Sequence, residues 1–221
     1  MPVYNEVGTI AEIVKRVQAV GLADEIIAID DGSTDGSAEI LSKLDGKDGV
    51  KVISHAKNLG KGAAVRDGIQ AAQGDLILIQ DADLEYDPRD VKKLLEPIEG
   101  GMADVVYGSR FLGGPRRPTM FWHAVANRFL TFLTNLLYNN ILTDMETGFK
   151  LFKREALKGI TIRSNNFNFE PEITAKLLKR RTRIFEVPII FNPRDYSEGK
   201  KIGLWDAFEA FWALLRYRFS D

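Results

Sequence analysis

Apolar residues change their period several times along the chain, and each change marks an element. Ile10, Ile13, Val14, Val17 and Val20 recur at the three- and four-residue spacing of one helix face, which predicts an amphipathic helix over 9–20. The next apolar run, EIIAID at 25–30, is short, continuous and followed by turn formers, and predicts a buried strand. The alternation continues with a helix over 35–44, a strand at 50–54, a helix from Ala63 to Ala72 and a strand in DLILIQ at 75–80. Pro88 suits the first position of the next helix with Asp87 as its cap, and ADVVYG at 103–108 predicts another strand.

Beyond residue 110 the pattern loosens. It predicts a long, semi-apolar helix over about 119–140, a strand at 148–153, a helix at 171–180, a strand at 183–191 and a terminal amphipathic helix over about 203–218. Strands alternating with helices predict an α/β fold with a mostly parallel central sheet flanked by helices. No repeat, low-complexity tract or linker interrupts the chain, so 1–221 reads as one domain.

Composition narrows the function. A chain of 221 residues, 45% apolar and 28% charged, is ordinary for a globular protein with a substantial core. A net charge of −1 gives no overall attraction to nucleic acid or to an anionic membrane, so any basic site is local, and no nucleic-acid partner is expected. Without cysteine there are no disulfides, thiol nucleophiles or thiolate metal sites, which is compatible with a cytoplasmic protein. The first residues, MPVYNEVGTI, lack the basic and apolar regions of a signal peptide. The stretch from Thr119 to Leu142 is broken by His123, Asn127, Arg128 and Asn135, short of the roughly 18 uninterrupted apolar residues of a spanning helix.

The most informative chemistry follows the strand at 75–80. Asp81, Asp83 and Glu85 alternate onto one face of an extended segment beyond the end of a buried strand, where open α/β sheets bind ligands. Three carboxylates facing one way repel unless a cation joins them, and Mg²⁺ or Mn²⁺ held by one or two carboxylates and substrate phosphates fits. A solvated acidic turn capping the next helix fits the same residues. A second acidic segment, IDDGSTDGS at 29–37, follows another strand; Asp30 or Asp31 can accept hydrogen bonds from a base or ribose, or the segment is simply a turn.

In order, PVYNE (2–6), DDGSTD (30–35), NLGKGAAVRDG (58–68), QDAD (80–83), GSRF (108–111), ETGFKLFKRE (146–155), FEPEI (169–173) and EVPI (186–189) resemble the inverting family 2 glycosyltransferases of GT-A fold. From Gly108 on, the chain is similar to their dolichyl- and polyprenyl-phosphate sugar synthases. The resemblance implies a nucleotide-sugar half over about 1–110 and an acceptor half over about 111–221. Pro2, Tyr4, Glu6, Asp30 and Asp31 would hold the nucleoside, with Ala82 also at the donor and Lys61 either neutralising phosphate there or standing as a solvated lysine at a helix start. Asp83 would be the main ligand of a divalent metal on the donor diphosphate, supported by Asp81 and Glu85.

A lipid-phosphate acceptor, with a second pKa of about 6, is largely dianionic at neutral pH and needs no base. A glycan hydroxyl, the alternative acceptor, needs one, for which Asp144 or Glu146 is the candidate, though both fit surface acids equally. Arg110, Arg194, Lys200 and Lys201 are expected to grip the acceptor phosphate; a solvated charged loop explains the last three equally. Aromatic residues in 119–142 and in the terminal helix, there beside Arg216 and Arg218, suit an interfacial helix as well as a core. The chain is therefore expected at the cytoplasmic face of a membrane, bound peripherally or through a membrane subunit. Because PVYNE should follow a complete first strand and only Met1 precedes it, part of the natural N-terminus is expected to be missing.

Overall fold

The computed structural model describes residues 1–115, 117–118, 121–194 and 204–220, with the backbone alone for 204–207. Strand β1 (Pro2–Val3) leads through α1 (Ile10–Val20) to β2 (Ile26–Asp30), α2 (Ser37–Leu44), β3 (Val50–Ser54) and α3 (Lys61–Ala71). Then come β4 (Leu76–Ile79), a short 3₁₀ turn at Pro88–Asp90, α4 (Val91–Glu99), β5 (Val105–Ser109), α5 (Phe121–Tyr138) and β6 (Lys150–Lys153). The chain continues through a one-turn α6 (Arg154–Leu157), α7 (Phe169–Lys179) and β7 (Ile184–Pro188) to α8 (Leu204–Phe219). Asp87 caps the turn at Pro88 through Arg89 N, as its position before a proline predicts.

The fold is α/β as expected, with its strands divided between two sheets. β1, β2 and β3 form a parallel sheet in that order, and β4, β6, β5 and β7 form a mixed one. β5 and β7 are parallel, whereas β6 runs antiparallel to both β4 and β5. β4 and β5 therefore point the same way, and the segments carrying Asp81 and Arg110 both leave their carboxyl ends. β2 is buried along its whole length, which explains its unbroken apolar run.

The two sheets do not pair through β1 and β4. Between them lies a cavity of about 90 Å³, lined by Met1, Pro2 and Ile27 on one side and Leu76 to Ile79 on the other, with α3 as its floor. The Met1 α-ammonium donates to the Ile27 carbonyl at 2.8 Å, and its burial pushes its pKa down to about 5.

The largest apolar cluster joins β4, β5 and β6 to α3, α5, α7 and α8. α7 is buried from Phe169 to Leu178 and runs through the centre, so its charged residues are paired internally, Glu172 with Lys176 at 2.6 Å among them. α5 and α8 cover it, and both leave aromatic side chains outside: Phe121, Trp122, Phe129 and Phe132 on α5, and Phe208, Trp212 and Phe219 on α8.

Candidate active site

The turn after β2 is tied to the segment after β1 by short polar side chains. Asn5, in the left-handed region (φ 55°), donates its backbone N–H to Ser33 Oγ and accepts from Thr34 N with its side chain. Glu6 N donates to Ser37 Oγ at 2.8 Å, and Asp30, buried at the end of β2, accepts from Ser33 N. Pro2 and Val3 lie in register with Ile29 and Asp30, and Tyr4 is partly exposed beside them. Pro2, Tyr4, Glu6 and Asp30 thus gather at one edge. Asp31 belongs to the same edge but is engaged with protein: Oδ1 accepts from His55 Nδ1 at 2.7 Å and Leu59 N at 2.8 Å, and Oδ2 from Gly60 N at 2.8 Å. It fixes the loop that delivers Lys61. Gly32 (φ +71°) is where a side chain would strike the backbone of Lys57 and Asn58, so only glycine lets that loop cross the turn.

Asp81, Asp83 and Glu85 follow β4, but the segment bends, with Leu84 in the left-handed region (φ 62°), where an extended run with all three on one face was expected. Asp81 is ion-paired with Lys61 (2.8 Å), and Asp83 Oδ2 lies 3.3 Å from Arg194 Nη2. Burial, then repulsion from Asp81 and Glu85, pushes Asp83 up to about 7 against the pull of Arg194. Among the described residues no three side chains converge as a ready-made metal cage. The donor set fits a hard divalent ion nonetheless: mutually repelling carboxylates at a strand end leave the remaining coordination to phosphate oxygens and water, the manner in which Mg²⁺ is commonly held. Ala82, between the two aspartates, is buried in the core of the first sheet.

Arg194, expected to grip the acceptor phosphate, lies among three carboxylates: its guanidinium forks onto Glu6 (2.9 and 3.1 Å) and approaches Asp83, and its backbone N–H donates to Glu85. Lys200 and Lys201 lie outside the described residues.

Arg110, after β5, is held by Asp144. Arg110 N and Nε both donate to Oδ2, at 2.9 and 2.7 Å, and Nη2 donates to Oδ1 at 2.7 Å. Asn127 of α5 donates to the same Oδ1 at 2.9 Å. Burial works against the Arg110 charge, but Asp144 holds its pKa above the ordinary value. With four donors on its two oxygens, Asp144 is an anchor, not an available base, and this corrects its expected role. Nη1 of Arg110 bonds to no described protein group, and the guanidinium lies over Phe191 and Phe111, 5.2 and 5.9 Å from their centroids. Arg128 approaches Phe111 from α5 at 5.6 Å. That exposed arginine had no motif to mark it, and only its helical phase, one residue after Asn127, hinted at it.

Glu146 remains the available carboxyl near Arg110. Burial, then the Glu170 charge, raises it to about 8, and its Oε1 is buried without a hydrogen bond. Two further charged residues escaped the motif reading. Lys150 is fully buried in β6, donating to the Met145 and Thr147 carbonyls and to Glu170 Oε2. Glu170 Oε1 faces Lys61 Nζ at 3.8 Å.

This geometry coincides with clear similarity to known proteins. A dolichol-phosphate mannosyltransferase of Pyrococcus furiosus is 31% identical over 92% of this chain and 58% of its own length. Glycosyltransferase AglJ of Haloferax volcanii is 30% identical over 87% of this chain and 62% of its own. The chain thus spans about three fifths of these two relatives. A UDP-N-acetylglucosamine–dolichyl-phosphate N-acetylglucosaminyltransferase of Methanococcus voltae is 29% identical over 97% of this chain and 93% of its own. Among solved structures, glucosyl-3-phosphoglycerate synthase of Mycobacterium tuberculosis with Mn²⁺ and UDP-glucose superposes with a TM-score of 0.78. That alignment covers all of this chain and 78% of the other at 19% identity, a likeness of GT-A fold. The glycosyl transferase family 2 profile matches residues 1–161, and the chain belongs to that family of glycosyltransferases.

Proposed function

We propose that the protein moves a sugar, with inversion, from a nucleotide-sugar donor to the phosphate of a polyprenyl or dolichyl lipid at a membrane surface. The observation that carries this reading is the position of Arg110. Its guanidinium is oriented by Asp144, with Nη1 unbonded among the described residues, and it and the Arg128 guanidinium lie 5.9 and 5.6 Å from the Phe111 ring centroid. Two cations on one aromatic ring suit a phosphate. The α5 helix links that site to a lipid surface: Asn127 on its inner face holds Asp144, while Phe121, Val125, Phe129, Phe132 and Leu136 line its outer face, 40% to 70% exposed. A helix is about 10 Å across, so a lipid headgroup beside α5 is within reach of Arg110. The relatives named for dolichyl-phosphate transfer support the same acceptor.

On the donor side, Pro2, Tyr4, Glu6 and Asp30 bind the nucleoside, and Asp83 and Asp81 hold a divalent ion, Mg²⁺ or Mn²⁺. When bound, that ion offsets charge developing on the leaving diphosphate. Lys61 adds a positive charge beside Asp81. Arg110 and Arg128 hold the acceptor phosphate, whose dianion attacks without a protein base. The protein binds peripherally at the cytoplasmic face through α5 and α8, directly or against a membrane subunit; among the described residues no helix is long and apolar enough to cross a membrane. Glu146, with its raised pKa, favours a second reading in which it serves as base for a glycan hydroxyl.

The test is incubation of purified protein with polyprenyl phosphate, Mn²⁺ and a panel of nucleotide sugars, followed by lipid extraction. Sugar recovered on the lipid is the expected result. Sugar found only on added glycans would favour the second reading.

A further inference from the structure

Lys61 lies between two carboxylates that hold it unequally. Its ammonium bonds to Asp81 Oδ2 at 2.8 Å and stands 3.8 Å from Glu170 Oε1, which is buried with no hydrogen-bond partner. An orphaned buried carboxylate oxygen costs on the order of 1–3 kcal/mol or more, so its persistence beside an ammonium needs a reason. Glu170 has no freedom to close the gap. Its other oxygen is bonded to Lys150, and Lys150 is itself pinned by the Met145 and Thr147 carbonyls. Lys61 is bounded on one side as well. Gly148 is packed so closely that a Cβ there would stand 2.5 Å from Asp81 Oδ2 and 3.1 Å from Lys61 Nζ. A movement of the ammonium by about 1 Å toward Glu170 Oε1 brings it into hydrogen-bond range.

We propose that Glu170 is a positioning residue: it receives the Lys61 ammonium when Asp81 turns to the divalent ion, so that the ion does not have to strip Asp81 from a cation with nowhere to go. This rests on the reading of Asp81 as a metal ligand. In the absence of the ion Lys61 neutralises Asp81; in its presence Lys61 pairs with Glu170 Oε1, and Asp81 is released. Glu170 acts only through Lys61, which separates this role from a general contribution of negative charge. A simple electrostatic effect of Glu170 on a nearby cation would persist whether or not Lys61 is present.

The experiment is a titration of Mn²⁺ alone into the protein, followed by the electron paramagnetic resonance signal of free Mn²⁺, for wild type, Lys61→Met, Glu170→Gln and the double variant. Lys61→Met is expected to bind Mn²⁺ about tenfold more tightly than wild type, and Glu170→Gln several-fold more weakly, a coupling typical of groups in contact. The double variant is expected to match Lys61→Met. Equal weakening by Glu170→Gln with and without Lys61, or no effect in either background, would overturn the proposal while leaving the metal reading intact. Should the Glu170 variants fail to fold, Lys61→Met decides: unchanged or weaker Mn²⁺ binding overturns the proposal. No Mn²⁺ binding by folded wild type would instead remove the metal reading, and this inference with it.

Discussion

Asp83 combines burial with two like-charged neighbours, and that combination suits a ligand site better than a structural one. Replacing it removes a repelled carboxylate and no core contact, because Arg194 keeps its fork to Glu6. Asp83→Ala is expected to lower transfer at least ~100-fold, a loss typical of removing electrostatic stabilisation of developing charge. Its melting temperature should be no lower than that of wild type. A folded Asp83→Ala protein with normal activity would contradict the assignment.

Glu146 gives a pH signature with a definite sign. Its pKa in the folded protein is about 8, above the usual carboxyl value, so folding favours its protonated form. Stability is therefore lost as pH rises from the unfolded value, about 4.3, toward 8. Glu146→Gln should melt higher than wild type at pH 8.5, and the difference should shrink at pH 5. Activity separates the two acceptor readings in the same window. With a lipid phosphate, ionised Glu146 repels the acceptor and its KM rises above pH 8; with a hydroxyl acceptor needing a base, kcat rises through pH 8.

At the scale of elements, α5 has one face in the core and one exposed aromatic face, an arrangement its sequence showed as apolar residues on more than one side. Phe129 and Phe132 are more than half exposed, so replacing both with serine should leave stability within about 0.5 kcal/mol per site. Binding to anionic liposomes should fall by more than ~10-fold, since each buried phenylalanine is worth about 1.5–3 kcal/mol. Flotation equal to that of wild type would show that α5 is not the docking face. The slot between β2 and β4 offers an independent check on packing. An engineered apolar run of four residues ahead of Met1 can pair with both neighbours and removes the buried ammonium, and the melting temperature should rise.

Most elements were legible because their apolar period depends on burial alone. β2 is an unbroken apolar run, and α1 repeats every three to four residues. The reversed direction of β6 was not legible, because KLFK has the same pattern whichever way it pairs. Asp81 and Asp83 stood out through their place beyond a strand. Lys150 and Glu170 did not, because within KLFK and FEPEI they resemble ordinary surface charges, and only the fold puts them in the core. Asp144 misled for the opposite reason: a carboxylate near the motif looks available until Arg110 and Asn127 are seen to use both its oxygens.

Across the whole molecule, the proposed reaction draws on segments far apart in sequence. In that reading residues 2–6 and 30–37 would hold the nucleoside, 81–85 the diphosphate, and Arg110 and Arg128, with Asp144 orienting Arg110, the acceptor anion. The proposed transfer requires Arg110 and Arg128 to form a phosphate site supplied from a lipid surface. The most direct measurement compares initial transfer rates to two acceptors of one chain length, a polyprenyl phosphate and the corresponding polyprenol, with the same donor and Mn²⁺. Transfer to the phosphate at least ~100-fold faster is expected, since the alcohol offers Arg110 no charge and needs a base. Equal or faster transfer to the alcohol would contradict the account.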